Sequence, residues 1–255
     1  MTPRVLILGG RRGGEDPVAA AAGVSHKALA PVAGVPMLAR VVATLRAALP
    51  EAGIGVAIDA TPEVSALLDT LGPLAVETPG ATPCTTVAAA MARPEFAPPL
   101  LIATADHPLL TPAMVRHFLA HLPDDIDAAV ALARRETVEA EYASKRTYWR
   151  FADCEVSGCN LFYIGPRRAQ EIVGFWKRLE NDRKKPLKML RHVGLGSVIA
   201  FALGRLSLEG ALGRLGRRAG ARVAAVDMPF AEASIDVDRA ADLVLAETIL
   251  RARRE

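Results

Sequence analysis

The chain is poor in cysteine and in aromatic side chains, and it lacks any long apolar run. Its three cysteines, Cys84, Cys154 and Cys159, form an odd set with no CxxC pair. That argues against a disulfide framework and for a reducing, cytoplasmic compartment. A zinc site would need a second closely spaced pair of ligands, so the thiols read as buried or idle. The longest largely apolar stretch, Val193 to Gly204, falls short of the roughly 20 residues a membrane-spanning helix requires. Val5-Leu6-Ile7-Leu8 is too short for a signal-peptide core and runs into glycines, so no targeting segment is expected ahead of the fold. Neither GxxxxGK[ST] nor GxGxxG occurs, which removes a Walker-type NTPase and a Rossmann-type dehydrogenase. Basic charge without interleaved aromatic side chains argues against a nucleic-acid partner.

What is present reads as an alternation of strands and helices. The strand Val5–Leu8 enters a glycine-rich loop. Met37, Leu38, Val41, Val42 and Leu45 mark one helix face over residues 36–49. A strand over 54–58 leads to a helix over 62–71 with Pro62 in its first turn. A short strand at 74–76 and a helix over 84–93 follow, then the apolar strand Leu100–Ala103. Thr111 reads as an N-cap, with Pro112 opening a helix to about His121. Residues 128–133 are strand-like. Residues 147–151 and 156–164 look like two successive strands, a local break in the alternation. A helix over 166–180 precedes further helices over 186–219, a strand over 223–226 and a closing helix over 238–253. The expected fold class is therefore α/β: a Rossmann-like, mainly parallel sheet with helices on both faces. The simplest organisation is a single domain, 1–255, with a basic helical insertion at about 165–222.

Ligands of open parallel sheets bind at the carboxyl ends of the strands, and two such ends carry chemistry. After the first strand comes Leu8-Gly9-Gly10-Arg11-Arg12-Gly13-Gly14. Here backbone N–H groups can cradle phosphate oxygens while arginine neutralises them. After the strand ending at Ala103 comes Thr104-Ala105-Asp106, where a carboxylate can hold a divalent cation beside bound phosphates.

These stretches resemble the MobA-like NTP transferases, a nucleotidyltransferase family of GT-A type. The likeness runs from Leu8-Gly9-Gly10-Arg11-Arg12-Gly13 through Lys27-Ala28-Leu29-Ala30-Pro31-Val32-Ala33-Gly34-Val35-Pro36-Met37-Leu38. It continues in Ala105-Asp106-His107-Pro108-Leu109-Leu110 and closes in Ser234-Ile235-Asp236-Val237-Asp238-Arg239-Ala240-Ala241-Asp242-Leu243. The resemblance implies that Leu8, Gly9, Gly10 and Gly13 wrap a nucleotide, and that Lys27 with Arg11 or Arg12 holds its triphosphate. It implies that Asp106 and Asp238 ligate Mg²⁺, with Asp236 the alternative to Asp238. It also implies that Thr82, Thr85 and Thr86 sit where the base is read, and that Gly158 and Asn160 line the acceptor side. The implied reaction moves a nucleoside monophosphate from CTP or GTP to a phosphorylated small molecule or lipid precursor, releasing pyrophosphate. His26, where relatives carry Pro or Asp, reads as a loop histidine without chemistry. The loop Arg11-Arg12-Gly13-Gly14 also departs from the family's usual single arginine. Two other classes stay open: a non-catalytic nucleotide-binding or membrane-surface protein of the same fold, and a glycosyltransferase using a nucleotide-sugar.

The small net charge of +3 conceals an asymmetry. Between Gly165 and Arg222 there are fourteen Lys/Arg against four Asp/Glu, so the remainder of the chain is acidic. The island includes Trp176 to His192, and a largely apolar run follows it. It reads as a solvated helical face packed on the core or on a homodimer mate. The alternative is a peripheral element on an anionic inner membrane surface.

Overall fold

The computed structural model describes residues 2–11, 13–14, 16–142, 146–182 and 194–253. The chain forms two compact units, one made of residues 1–116 and 235–255, the other of residues 117–234.

The first unit contains β1 (Arg4–Leu8), α1 (Pro17–Ala22), a small antiparallel hairpin β2 (Pro31–Val32) and β3 (Val35–Pro36), and α2 (Met37–Ala48). It continues through β4 (Ile54–Ala57), α3 (Pro62–Thr70), β5 (Ala75–Glu77), α4 (Pro83–Ala90), β6 (Leu100–Thr104) and α5 (Pro112–Ala120). The unit boundary falls within α5. β1 pairs in parallel with both β6 and β4, and β4 pairs in parallel with β5. Val5, Leu6 and Ile7 are fully buried, as are Leu100, Leu101 and Ile102. Continuous apolar runs are what a parallel strand covered on both faces requires. The register places Leu8 opposite both Ala57 and Thr104, so the loops after β1, β4 and β6 leave the same edge.

The helices of this unit start where their capping residues dictate. Thr61 accepts from the Val64 N–H at the head of α3, and Thr111 accepts from Met114 N–H at the head of α5. α2 buries Met37, Leu38, Val41, Val42, Leu45 and Ala48 on one face. The sequence reading missed α1, because an alanine run has no apolar period. Its ends are nevertheless marked: Asp16 accepts from Val18 and Ala19 N–H, Pro17 opens the helix, and Gly23 closes it at φ 65°.

The second unit contains β7 (Ala128–Arg134), α6 (Arg135–Glu141), β8 (Trp149–Arg150), β9 (Glu155–Ile164), α7 (Ala169–Asp182), α8 (Leu195–Ala202), α9 (Leu208–Ala219) and β10 (Val223–Asp227). β10 runs parallel to β7, whereas β9 is antiparallel to both β7 and β8. The expected break in the alternation is therefore real. α6 was not expected. α7 starts three residues later than the sequence suggested, and the part of the expected helical region at 186–193 lies outside the described residues. Along the β7–β9 ladder Val130 faces Phe162 while Leu132 faces Gly158. β9 therefore carries extra residues in a bulge, and within it Asn160 has φ 53°. Bulges of this kind re-aim side chains, and asparagine tolerates the left-handed conformation.

The chain returns to the first unit with α10 (Ala240–Ala252). The fold class is mixed α/β with mainly parallel strands, as expected. Among the described residues no helix is long and apolar enough to cross a membrane.

Candidate active site

Three charged side chains meet at the carboxyl edge of the first unit's sheet. Lys27 Nζ donates to Asp106 Oδ2 at 2.7 Å and to Asp238 Oδ1 at 2.8 Å. The backbone brings each of them there. Ala105 N–H donates to Leu8 O, which seats the β6 end beside the β1 loop, and Val237 N–H donates to Asp106 O at 2.9 Å, which draws the returning chain against it. Thr104 Oγ1 donates to Asp106 Oδ1 at 2.6 Å and fixes that carboxylate's rotation. Asp242, buried in the first turn of α10, accepts from the Arg239 N–H at 2.9 Å and the Asp238 N–H at 3.3 Å, and so holds the Asp238 backbone. Burial opposes the charge on Lys27, but the attraction and hydrogen bonds of Asp106 and Asp238 outweigh it and hold its pKa above the ordinary lysine value.

Lys27 opens a 3₁₀ turn, Lys27–Leu29, capped by His26, whose Nδ1 accepts from the Ala28 N–H at 3.0 Å. The histidine is buried, with Nε2 3.9 Å from Asp59 Oδ2. Burial first, and then the nearby Arg11 charge, depress its pKa below the ordinary value. It is therefore a neutral cap that aims the lysine.

The glycine loop is shaped by contact as well as by freedom. A Cβ on Gly10 would stand 2.7 Å from the Pro79 ring, and one on Gly9 would stand 3.2 Å from Ile58. Gly13 has open space around it, so no contact demands a glycine there. Leu8 ends β1. Arg11 donates through its backbone N–H to Asp59 and through its guanidinium to the Ser25 carbonyl. Arg12 lies outside the described residues.

Thr82, Thr85 and Thr86 come together at the head of α4, with their hydroxyls engaged locally. Thr82 and Thr85 form a reciprocal capping box. Thr86 Oγ1 accepts from the Gly80 N–H at 2.8 Å and donates to Thr82 O at 2.9 Å. What they present outward is the backbone of a tightly fixed loop. Gly158 is exposed on β9, and Asn160 sits in the bulge two residues on. Of the two late aspartates, Asp238 is the one the structure brings to Lys27; Asp236 is half-buried just before it.

Sequence reasoning assigned no role to Thr104, His26 or Asp242. Asp242 stood within a motif, but only the returning backbone reveals its hold on Asp238. His26 is flanked by nothing in sequence that distinguishes a turn cap from an idle loop residue.

The fold is shared with solved structures. A hypothetical transferase from Thermus thermophilus superposes with TM-score 0.79 at 29% identity, covering 95% of this chain and 100% of that one. A CMP:2-keto-3-deoxy-manno-octonic acid synthetase complexed with CTP superposes with TM-score 0.59 at 14% identity, covering 98% and 99%. A 2-C-methyl-D-erythritol 4-phosphate cytidylyltransferase, also from Thermus thermophilus, does so with TM-score 0.53 at 19% identity, covering 98% and 100%. No curated protein sequence matches the chain. The fold is that of the GT-A-type nucleotidyltransferases. The MobA-like NTP transferase domain matches residues 11–173, more than half of the chain. The chain belongs to that family and is a nucleotidyltransferase.

Proposed function

We propose that the protein transfers a nucleoside monophosphate from CTP or GTP to a phosphorylated small molecule or lipid precursor, in the cytoplasm and with Mg²⁺. The observation that carries this reading is the convergence of Lys27, Asp106 and Asp238 beside the glycine loop at one sheet edge.

The donor set fits a magnesium ion. Asp106 and Asp238 aim hard oxygen atoms at a single point, and Mg²⁺ is commonly held by one or two carboxylates together with substrate phosphates and water. When bound, the ion would neutralise charge on the triphosphate and the leaving pyrophosphate. Lys27 now occupies the point between the carboxylates as an internal counter-charge. Asp106 and Asp238 would hold the ion, and Lys27 would bind phosphate oxygens of the nucleotide. The backbone of Gly10 and Gly13 follows the triphosphate, with Arg11 or Arg12 binding it. Gly9, whose N–H is held by the Ala57 carbonyl at 2.8 Å, lies beneath with Leu8 and supplies close approach rather than a donor. The Thr82–Thr86 loop reads the base.

An acceptor phosphate oxygen forms a bond to the α-phosphorus as the α–β anhydride bond breaks and pyrophosphate leaves. An ionised phosphate needs no general base. The protein therefore supplies positioning and charge stabilisation.

The test is a thermal-shift panel of ATP, CTP, GTP and UTP, with and without Mg²⁺, on wild type and Asp106→Ala, followed by pyrophosphate release with phosphorylated acceptors. A nucleotide at a hundredfold its Kd stabilises the folded state by about 2.7 kcal/mol. The expected result is a metal-dependent rise in melting temperature with CTP or GTP that the mutant loses. No rise with any of the four sinks the assignment of this site.

A further inference from the structure

Helix α8 carries its polarity inverted. Its polar residue, Ser197, is buried and accepts a hydrogen bond from Arg214 of α9 at 3.4 Å. Leu195, Val198 and Ile199 face outward instead, together with Phe201 and Leu203; Leu195 and Leu203 are 60% and 61% exposed. Leu195, Val198, Ile199 and Ala202 keep the i, i+3, i+4, i+7 spacing of a single helical stripe, so the apolar face is continuous. Trp149, 62% exposed, extends it. Two residues after Trp149 the Phe151 ring meets Phe201 edge-on, with centroids 5.6 Å apart, and Ala152 N–H then donates to Leu206 O. Apolar exposure gathered in this way marks an interaction surface.

Charge selects the occupant. From Gly194 to Leu208 the charged residue is Arg205, and no acidic residue occurs there. Arg205 is exposed directly after α8, and the Arg218 guanidinium lies against Gly194 at its head. Two copies joined across a two-fold axis would set this basic rim against itself. An anionic lipid surface complements it. A helix of eight residues is about 12 Å long and cannot cross a bilayer. It can lie in the headgroup layer with its stripe inward, its arginines at phosphate level and a tryptophan at the boundary. We infer that α8 and Trp149 form a monotopic docking surface for a bilayer containing anionic phospholipid.

The full chain would be sedimented with vesicles of phosphatidylcholine, and with phosphatidylcholine vesicles containing phosphatidylglycerol, at low and high salt. Wild type is compared with Ile199→Asp, Leu203→Asp and Arg205→Gln. These positions are exposed, and thermal melts confirm that the variants stay folded. Wild type sediments with the phosphatidylglycerol vesicles and is released by salt. Each aspartate substitution weakens binding by roughly tenfold or more, and Arg205→Gln weakens it about fivefold. Failure to sediment at low salt overturns the inference, as does sedimentation that Ile199→Asp and Leu203→Asp leave unchanged. A dimer in light scattering that Ile199→Asp converts to monomer overturns it too, and assigns the face to a second copy.

Discussion

His26 shows how a side chain without chemistry of its own can govern one that has it. Its Nδ1 must stay unprotonated to accept from Ala28 N–H, and that bond shapes the turn carrying Lys27. Because its folded pKa lies below the unfolded value of 6.5, the unfolded chain binds the proton more readily. The stability it contributes is present above about pH 6.5 and is lost as the pH falls through that value towards the folded pKa. Melting temperature should therefore drop on acidification, and His26→Asn should blunt the drop, since an asparagine oxygen can cap the turn without titrating. His26→Ala should cost about 1 kcal/mol at neutral pH and lower turnover by freeing Lys27. An acid limb identical in wild type and His26→Asn would refute this. The residue types at 27, 106 and 238 were legible in the sequence, and the resemblance implied that they share one site; the contacts that join them were not legible. Positions 79 and 211 residues apart are joined by strand register and by the bond from Val237 to Asp106.

Elements with strong local chemistry were the easiest to read. α2 followed from apolar spacing, and α3 and α5 from a threonine cap followed by proline. α1 and α6 escaped because neither shows a long apolar period. The bulge in β9 escaped because one residue in the left-handed region leaves no mark on the pattern around it. The loop after β1 showed its glycines, but only the folded state explains which of them is irreplaceable. Gly10→Ala forces a methyl group into the Pro79 ring, and a rigid ring cannot swing aside. Displacing the loop should cost about 1–3 kcal/mol and abolish the nucleotide-dependent rise in melting temperature. Gly13→Ala, with open space around it, should keep most of that rise. Equal losses in the two variants would show that backbone freedom, and not crowding, sets the requirement.

At the scale of the whole molecule, alternating elements made the α/β class readable, and charge counting located the basic region before any helix was placed. The division into units was not readable, because no linker composition marks it. Residues 117–234 interrupt the first unit, which is completed only by residues 235–255. A chain stopped at Ser234 lacks Asp238 and the Asp242 that holds its backbone. It should show no nucleotide-dependent thermal shift, and a shift of wild-type size would remove Asp238 from the site.

The late arrival of Asp238 also has a consequence in time. Ribosomes add about 5–20 residues per second, and 211 positions separate Lys27 from Asp238. The lysine is therefore added to the chain roughly ten to forty seconds before its second carboxylate. A nascent or prematurely ended chain carries the glycine loop and Asp106 without the partner that closes the site. The site is left open until the chain has been extended past Asp238.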